Sequence, residues 1–194
     1  AMPGCQILAA KDGNVFFNKS FGNHTYDSSS KKVENSDIYD LASITKIASS
    51  ALILMQLESE NRFSVDSNLG SYLPEILDSS EYKNLVIKEI LTHQAGLASW
   101  IPFYVKTLNE GMPSYELYSK LPSNIHQSLV AKNLYMLSSY RDTIFERILS
   151  TDINKNKKYK YSDVGYYFIN EIIKKITFNS QDLIAENIYN KIGL

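Results

Sequence analysis

Residues 41–46 read Leu-Ala-Ser-Ile-Thr-Lys, which places Ser43 three residues before Lys46. Side chains at positions i and i+3 share one face of a helix. A lysine amine held there can take the proton of the serine hydroxyl and so activate a weak nucleophile. The stretch therefore predicts a nucleophile and its proton partner at the beginning of a helix.

The same spacing occurs four times in the chain, so its context has to distinguish the copies. Three copies lie in polar segments, where nothing would desolvate the lysine and lower its pKa: Ser28/Lys31, Ser29/Lys32 and Ser80/Lys83. Ser43 and Lys46 instead begin an apolar run that reaches residue 57. A helix N-terminus there would favour developing negative charge on the serine. The alternative for this pair is a capping serine and a snorkelling lysine.

A second candidate element is Tyr161-Ser162-Asp163, which follows a basic tract and opens an amphipathic helix. A tyrosine beside a cationic lysine can relay a proton to a leaving group. Asp163, two residues further on, could orient the lysine and the substrate. The alternative is that Tyr161 is an ordinary surface tyrosine, since tyrosines are frequent in this part of the chain.

Taken together with two further segments, these motifs give the chain a family resemblance. It resembles the serine β-lactamase-related superfamily, which includes class C β-lactamases, D-alanyl-D-alanine peptidases and related esterases. The segments occur in the family's order: an opening hairpin at 3–13, the nucleophile motif at 41–46, a Leu-Thr-His-x-x-Gly-Leu turn at 91–97 and the second catalytic motif at 161–163. The resemblance extends from near residue 3 to residue 194.

The resemblance implies a role for each motif residue. Ser43 would be the acylated nucleophile, Lys46 its proton partner, and Tyr161 the general base or acid. Asp163 would contact the substrate and Lys46, at a position where class C enzymes usually have asparagine. A carboxylate there favours a charged lysine but cannot donate a hydrogen bond to a β-lactam side-chain amide. His93 lies in the structural turn and is assigned no catalytic role.

The implied function is a serine hydrolase of the penicillin-recognising type that acts through an acyl-enzyme on an amide, peptide or ester. It needs neither a metal nor an organic cofactor, and its partner is a small-molecule or peptide substrate. The alternative is a truncated or degenerate non-catalytic domain that binds cell-wall peptide or packs against other domains. The family implies a periplasmic or extracellular location, although no signal peptide is visible in the chain.

The expected fold is α/β, of the α+β type. Residues 1–22 should form a hairpin of an antiparallel sheet, with strands at 5–10 and 15–21 around Asp12-Gly13. A polar loop at 22–37 should follow. Residues 39–194 should be mainly helical, with helices at 44–60, 86–92, 132–149, 163–177 and 180–191. We expect helix 44–60 to be buried on nearly every face, because it is apolar all round through residue 57.

The family's third motif and its later strands are not found, so residues 1–194 are expected to form a single, incomplete domain. In the family, that third strand supplies the second oxyanion donor, and losing one donor costs on the order of 10²–10³ in rate. We therefore expect this chain alone to be a poor catalyst. The unpaired hairpin edge should be covered by a neighbouring copy, by another fragment of the protein or by rearranged helices.

Composition excludes several other classes of function. The chain has 194 residues, 20 Lys plus Arg against 21 Asp plus Glu, and a net charge of −1. This charge balance makes nucleic-acid binding an unfavoured function. One cysteine excludes an internal disulfide, and three widely separated histidines argue against a histidine metal site. The longest apolar stretch, at 51–55, is far too short to span a membrane.

Overall fold

The computed structural model describes residues 2–193 and divides into two compact units, Ala1–Ser43 and Ile44–Leu194. The first unit contains the predicted hairpin, with β1 (Gly4–Lys11) antiparallel to β2 (Asn14–Gly22). Asp12 and Gly13 in the turn have φ angles of 51° and 76°. Two left-handed residues give a turn whose twist matches that of the strands, so the Asp-Gly signal is confirmed.

The loop that follows β2 is organised by the carboxylate of Asp37. It accepts hydrogen bonds from the Glu34 backbone N–H at 2.8 Å and from Lys31 Nζ at 3.0 Å, and it pairs with His24 Nε2 at 2.8 Å. These contacts hold the pKa of Asp37 far below its usual range, and the hydrogen bond from the Glu34 backbone N–H has the largest effect. The Gln6 amide also binds two carbonyl oxygens of this segment, which ties the loop to β1.

The hairpin keeps apolar side chains on its surface. Leu8, Val15 and Phe16 are each more than half exposed, and Phe16 reaches 73%. Within residues 2–193, β1 and β2 pair only with each other, as a two-stranded sheet. The expectation that another copy or segment covers this edge stays a prediction.

The second unit is mainly helical, and its elements follow one another in short steps. A π-helical stretch, Lys46–Ala51, runs directly into α1 (Leu52–Ser59). The later helices are α2 (Leu69–Tyr72), α3 (Pro74–Leu77), α4 (Ile87–Leu91), α5 (Tyr140–Leu149), α6 (Val164–Thr177) and α7 (Gln181–Lys191). Single 3₁₀ turns lie at Glu81–Asn84 and Phe103–Thr107. No helix in the described part of the chain is long and apolar enough to cross a membrane.

The core of this unit forms around one face of α6. Its buried residues are Val164, Gly165, Phe168, Ile169, Ile172 and Ile173, at the three-and-four spacing of an amphipathic helix. The last two helices are confirmed, and Ser180 caps α7 by accepting a hydrogen bond from the Leu183 backbone N–H. The predicted helix 86–92 is also confirmed, and it ends before His93, whose φ is 57°.

The prediction of a first helix buried on nearly every face is wrong. One stripe of α1 is buried, formed by Ile53, Leu54 and Leu57. Ile47 and Met55 point away from that stripe and are 67% and 66% exposed. The composition of this helix correctly indicated that its surface is apolar. Which part of that surface is buried depends on how distant segments of the chain pack against it.

The predicted helix at 132–149 is confirmed only in its later part, which forms α5. Its first part is wrong, because those residues belong to a hairpin. The region before α5 forms two small antiparallel sheets, of which the first pairs β3 (Leu108–Asn109) with β4 (Met112–Pro113). The second has the order β5–β7–β6, built from Tyr118–Ser119, Leu134–Met136 and Ser128–Ala131. Asn133, with φ at 54°, makes the turn between β6 and β7, a role that asparagine tolerates well.

Candidate active site

The structure brings three of the four predicted site residues together around the Lys46 amine. Lys46 Nζ donates a hydrogen bond to Asp163 Oδ1 over 2.6 Å and is also hydrogen-bonded to Tyr161. Its side chain is only 16% exposed, whereas that of Asp163 is 41% exposed. The ring centroids of Tyr161 and Tyr166 lie 5.3 and 5.1 Å from Nζ, close enough for cation–π attraction. Tyr166 was not among the predicted residues.

These contacts decide the charge of Lys46. Partial burial disfavours the ammonium, but the hydrogen bonds to Asp163 and Tyr161 outweigh it, so that the pKa of Lys46 lies above its ordinary value. Lys46 is therefore a cation at neutral pH. Its amine donates protons to its neighbours in hydrogen bonds and has no lone pair with which to accept one.

Ser43 is exposed and lies in the turn that precedes the π-helical stretch. The residue before it, Ala42, has a φ of 43°. This left-handed conformation is uncommon for a residue with a side chain, and such strain often occurs at functional sites. π-Helical turns such as the one that carries Lys46 are also frequent at functional sites.

Another copy of the spacing has an ordinary structural role. Ser80 Oγ accepts a hydrogen bond from the Tyr82 backbone N–H and so caps a 3₁₀ turn, and Lys83 Nζ donates one to the Asp78 carbonyl. This serine and this lysine each serve their local backbone, as the structural interpretation of the pair predicts.

The predicted turn at 91–97, together with the two residues that follow it, anchors the segment that carries Tyr161 and Asp163. The Lys160 backbone N–H donates to the His93 carbonyl over 2.9 Å, and the Asp163 backbone N–H donates to the Ser99 carbonyl over 2.8 Å. These two main-chain hydrogen bonds bracket the tripeptide at both ends. They fix the backbone positions from which the side chains of Tyr161 and Asp163 extend.

Ser162 completes this anchor, and sequence reasoning missed it. Its backbone N–H donates to His93 Nδ1 over 3.2 Å, and its buried hydroxyl donates to the Ala98 carbonyl over 2.6 Å. Burial, and next the charge of Lys46, lower the pKa of His93, which favours a neutral ring. Because Nδ1 accepts the Ser162 N–H, the proton of the neutral ring is on Nε2. That ring lies 4.4 Å from the ring of Tyr161. His93 thus orients the second motif, as expected of a structural residue.

Gly96 permits the close approach of this turn to residue 154. Its φ is 76°, and an added Cβ would overlap the Asn154 carbonyl oxygen. We expect Gly96→Ala to lower the free energy of unfolding by about 2–4 kcal/mol. The matched control is Gly111→Ala, which has a φ of 79° but open space around it and should cost only about 1 kcal/mol. Equal losses in urea unfolding of the two variants would contradict the overlap.

A resident metal would need several ligands in one place. Among residues 2–193, no three His, Cys, Asp or Glu side chains converge in a way that could hold a metal ion.

A family model described as Beta-lactamase matches residues 1–194. The chain belongs to this Beta-lactamase family. The resemblance inferred from the four motifs is thereby confirmed, and with it the mixed α/β fold. A solved class C β-lactamase supports the same fold, with a TM-score of 0.64 at 15% identity over 99% of this chain and 44% of the other.

Two curated proteins are similar to the chain over almost its whole length. It is 25% identical to the N-acetylmuramyl-L-alanine amidase of Bacillus subtilis (strain 168) over 206 residues. This aligned region covers 99% of this chain and 41% of the relative. It is 26% identical to the teichoic acid D-alanine hydrolase of Staphylococcus aureus, over 96% of this chain and 38% of the relative. The chain spans about two fifths of the length of these relatives.

Proposed function

We propose that the chain supplies the nucleophile and the proton-transferring groups of a serine hydrolase that forms an acyl-enzyme with an amide, peptide or ester. The observation that carries the proposal is the convergence on Lys46 of Tyr161 and Asp163, which lie more than a hundred residues further along the chain. Lys46 in turn follows Ser43 by three residues.

In the proposed reaction, Ser43 Oγ attacks the substrate carbonyl carbon while its proton passes to the oxygen of Tyr161. The same proton then moves to the departing amine or alcohol as the bond to the acyl group breaks. A water molecule then attacks the acyl carbon and gives its proton to the Tyr161 oxygen. That proton passes to Ser43 Oγ as the bond between Ser43 and the acyl group breaks and the acid is released. Tyr161 has the proton-carrying role because Lys46 is already an ammonium. The ammonium stabilises the Tyr161 oxygen whenever that oxygen is unprotonated.

Hydrolysis of an open-chain amide or an ester is favoured over β-lactam hydrolysis. The Asp163 side chain is hydrogen-bonded to Lys46, and a carboxylate can only accept hydrogen bonds. The relatives named above are an amidase and a D-alanine hydrolase. Both names support an acyl substrate with an amide or ester bond, and neither supports the non-catalytic alternative.

The direct test is hydrolysis of an activated ester, such as a p-nitrophenyl ester, by the full gene product. Rapid quenching and peptide mapping should recover the acyl group on Ser43. Acyl groups recovered on another residue, or no burst of p-nitrophenol from an active preparation, would overturn the proposal.

Replacing Asp163 by asparagine should change the pH dependence of turnover. The carboxylate raises the pKa of Lys46, so Asp163→Asn lowers it. If Lys46 acts as a cation, activity exists below its pKa and is lost as the pH rises through it. The alkaline limb of the kcat profile should therefore move to lower pH. A profile whose acid limb moves to lower pH instead would mean that Lys46 acts as a neutral base.

The control for this pH profile is Glu75→Gln. Glu75 is a surface carboxylate of α3 that pairs with Lys175 over 2.7 Å and not with Lys46. Its alkaline limb should coincide with that of the unmodified protein.

A further inference from the structure

Two side chains of α7 hold the π-helical stretch that carries Lys46. Gln181 Nε2 donates hydrogen bonds to Oγ of Ser49 over 2.9 Å and to Oγ of Ser50 over 3.0 Å. The Tyr189 hydroxyl donates one to the carbonyl oxygen of Ala48 over 2.6 Å. Ser50 is buried, and a buried hydroxyl group needs a hydrogen-bond partner. Three consecutive residues of the stretch are therefore held by a helix that lies far along the chain.

The Tyr189 hydroxyl replaces a main-chain partner that an α-helix would supply. In an α-helix, the Ala48 carbonyl would accept a hydrogen bond from the backbone N–H of Leu52, four residues later. In this structure the Leu52 N–H donates instead to the Ser49 carbonyl. The hydrogen bond from Tyr189 thus stabilises a backbone conformation that differs from the α-helical one.

This conformation determines the direction in which the Lys46 side chain points. The buried stripe of α1 fixes the chain directly after the π-helical stretch. Each residue of an α-helix turns the chain by about 100°, and a π-helical stretch accommodates an additional residue. A return to α-helical pairing would therefore rotate Lys46 by about 100° relative to α1. Its amine would then leave Tyr161 and Asp163, to which it is hydrogen-bonded.

The attachment of α7 to the core does not depend on these hydrogen bonds. Three apolar side chains of α7 pack against the core: Ile184, Ala185 and Ile188. We propose that Gln181 and Tyr189 are positioning residues, which hold the π-helical stretch so that the Lys46 amine faces the second motif. This inference rests on the proposed role of Lys46 as the cation that stabilises the Tyr161 oxygen.

The kinetic test removes one hydroxyl group. Tyr189→Phe keeps the ring but loses the hydrogen bond to the Ala48 carbonyl. Tyr72→Phe is the matched control, because the Tyr72 hydroxyl also binds a backbone group, the Ser64 N–H, over 2.8 Å. With p-nitrophenyl acetate and the full gene product, we expect Tyr189→Phe to lower kcat at least about tenfold and to leave KM within about twofold. The control should keep both constants within about twofold of those of the unmodified protein.

These kinetics also separate positioning from a loss of stability. Both variants should show a similar fall in thermal midpoint, whereas only Tyr189→Phe should lose turnover. A kcat for Tyr189→Phe within twofold of the unmodified value, or an equal loss of kcat in the two variants, would overturn the proposal.

A crystal structure of the double variant Gln181→Met/Tyr189→Phe distinguishes this inference from the proposed function. We expect an α-helical stretch and a distance above about 4 Å between Lys46 Nζ and Asp163 Oδ1, beyond the range of an ion pair. If the lysine moves in this way but the unmodified protein hydrolyses no ester, the positioning role is supported and the hydrolase proposal is wrong. If the unmodified protein is acylated on Ser43 but the double variant keeps the 2.6 Å hydrogen bond between Lys46 and Asp163, the positioning proposal is wrong and the hydrolase proposal stands.

Discussion

Replacing Ser43 with alanine is expected to lower kcat for an activated ester by roughly 10⁴–10⁶-fold, because the attacking oxygen itself is removed. The acyl adduct should also disappear from the intact-mass spectrum. Ser43 is exposed, so the substitution should leave the fold intact and the thermal midpoint close to that of the unmodified protein.

The matched control for this loss is Ser80→Ala, which removes a serine from the same Ser-x-x-Lys spacing. Ser80 caps a short turn, so this variant should lose about 1 kcal/mol of stability. Its activity should equal that of the unmodified protein. Equal labelling of the Ser43→Ala and unmodified proteins by a penicillin-type or activated-ester probe would show that another residue is acylated.

Removing the Tyr161 hydroxyl should have the next largest effect. Tyr161→Phe keeps the ring that lies beside His93 but removes the oxygen that is hydrogen-bonded to Lys46. Because that oxygen is proposed to carry the proton, we expect kcat to fall by about 10²–10⁴-fold. Steady-state kinetics with an amide substrate, whose leaving group needs a proton, is the appropriate measurement.

Tyr166→Phe provides the comparison for this variant. The Tyr166 ring is as near to Lys46 Nζ as that of Tyr161, and the substitution preserves the ring–cation contact. It should retain activity within about threefold. Similar losses in the two variants would mean that the tyrosines act by packing around the lysine and not by proton transfer.

Local signals predicted the elements whose packing they determine. The Asp-Gly pair defined the first hairpin, and the apolar spacing of α6 predicted the helix around which the core forms. The hairpin at β6–β7 was missed because its strands are very short, and its turn depends on a left-handed Asn133 within an otherwise helix-compatible stretch. The local spacing of residues does not distinguish a helix from a short hairpin where tertiary contacts determine which of them forms.

The candidate site was predictable only in part. The spacing of Ser43 and Lys46 is local, but Asp163 is 117 residues from Lys46 and was predicted as part of a separate motif that no local spacing connects to the lysine. No local pattern indicated Tyr166 beside the lysine or the hydroxyl of Ser162 beneath the second motif. Ser162 is held by His93 and by the Ala98 carbonyl, both more than sixty residues earlier in the chain.

The way this turn anchors the second motif affects how the chemistry could change during evolution. The anchoring hydrogen bonds use main-chain atoms together with the side chains of His93 and Ser162. None of them uses the side chain of Tyr161 or Asp163. The two positions that face the lysine can therefore accept other residues while the backbone beneath them keeps its geometry. An ancestral scaffold of this kind could diverge in substrate preference by single substitutions at the motif, without an intermediate that fails to fold.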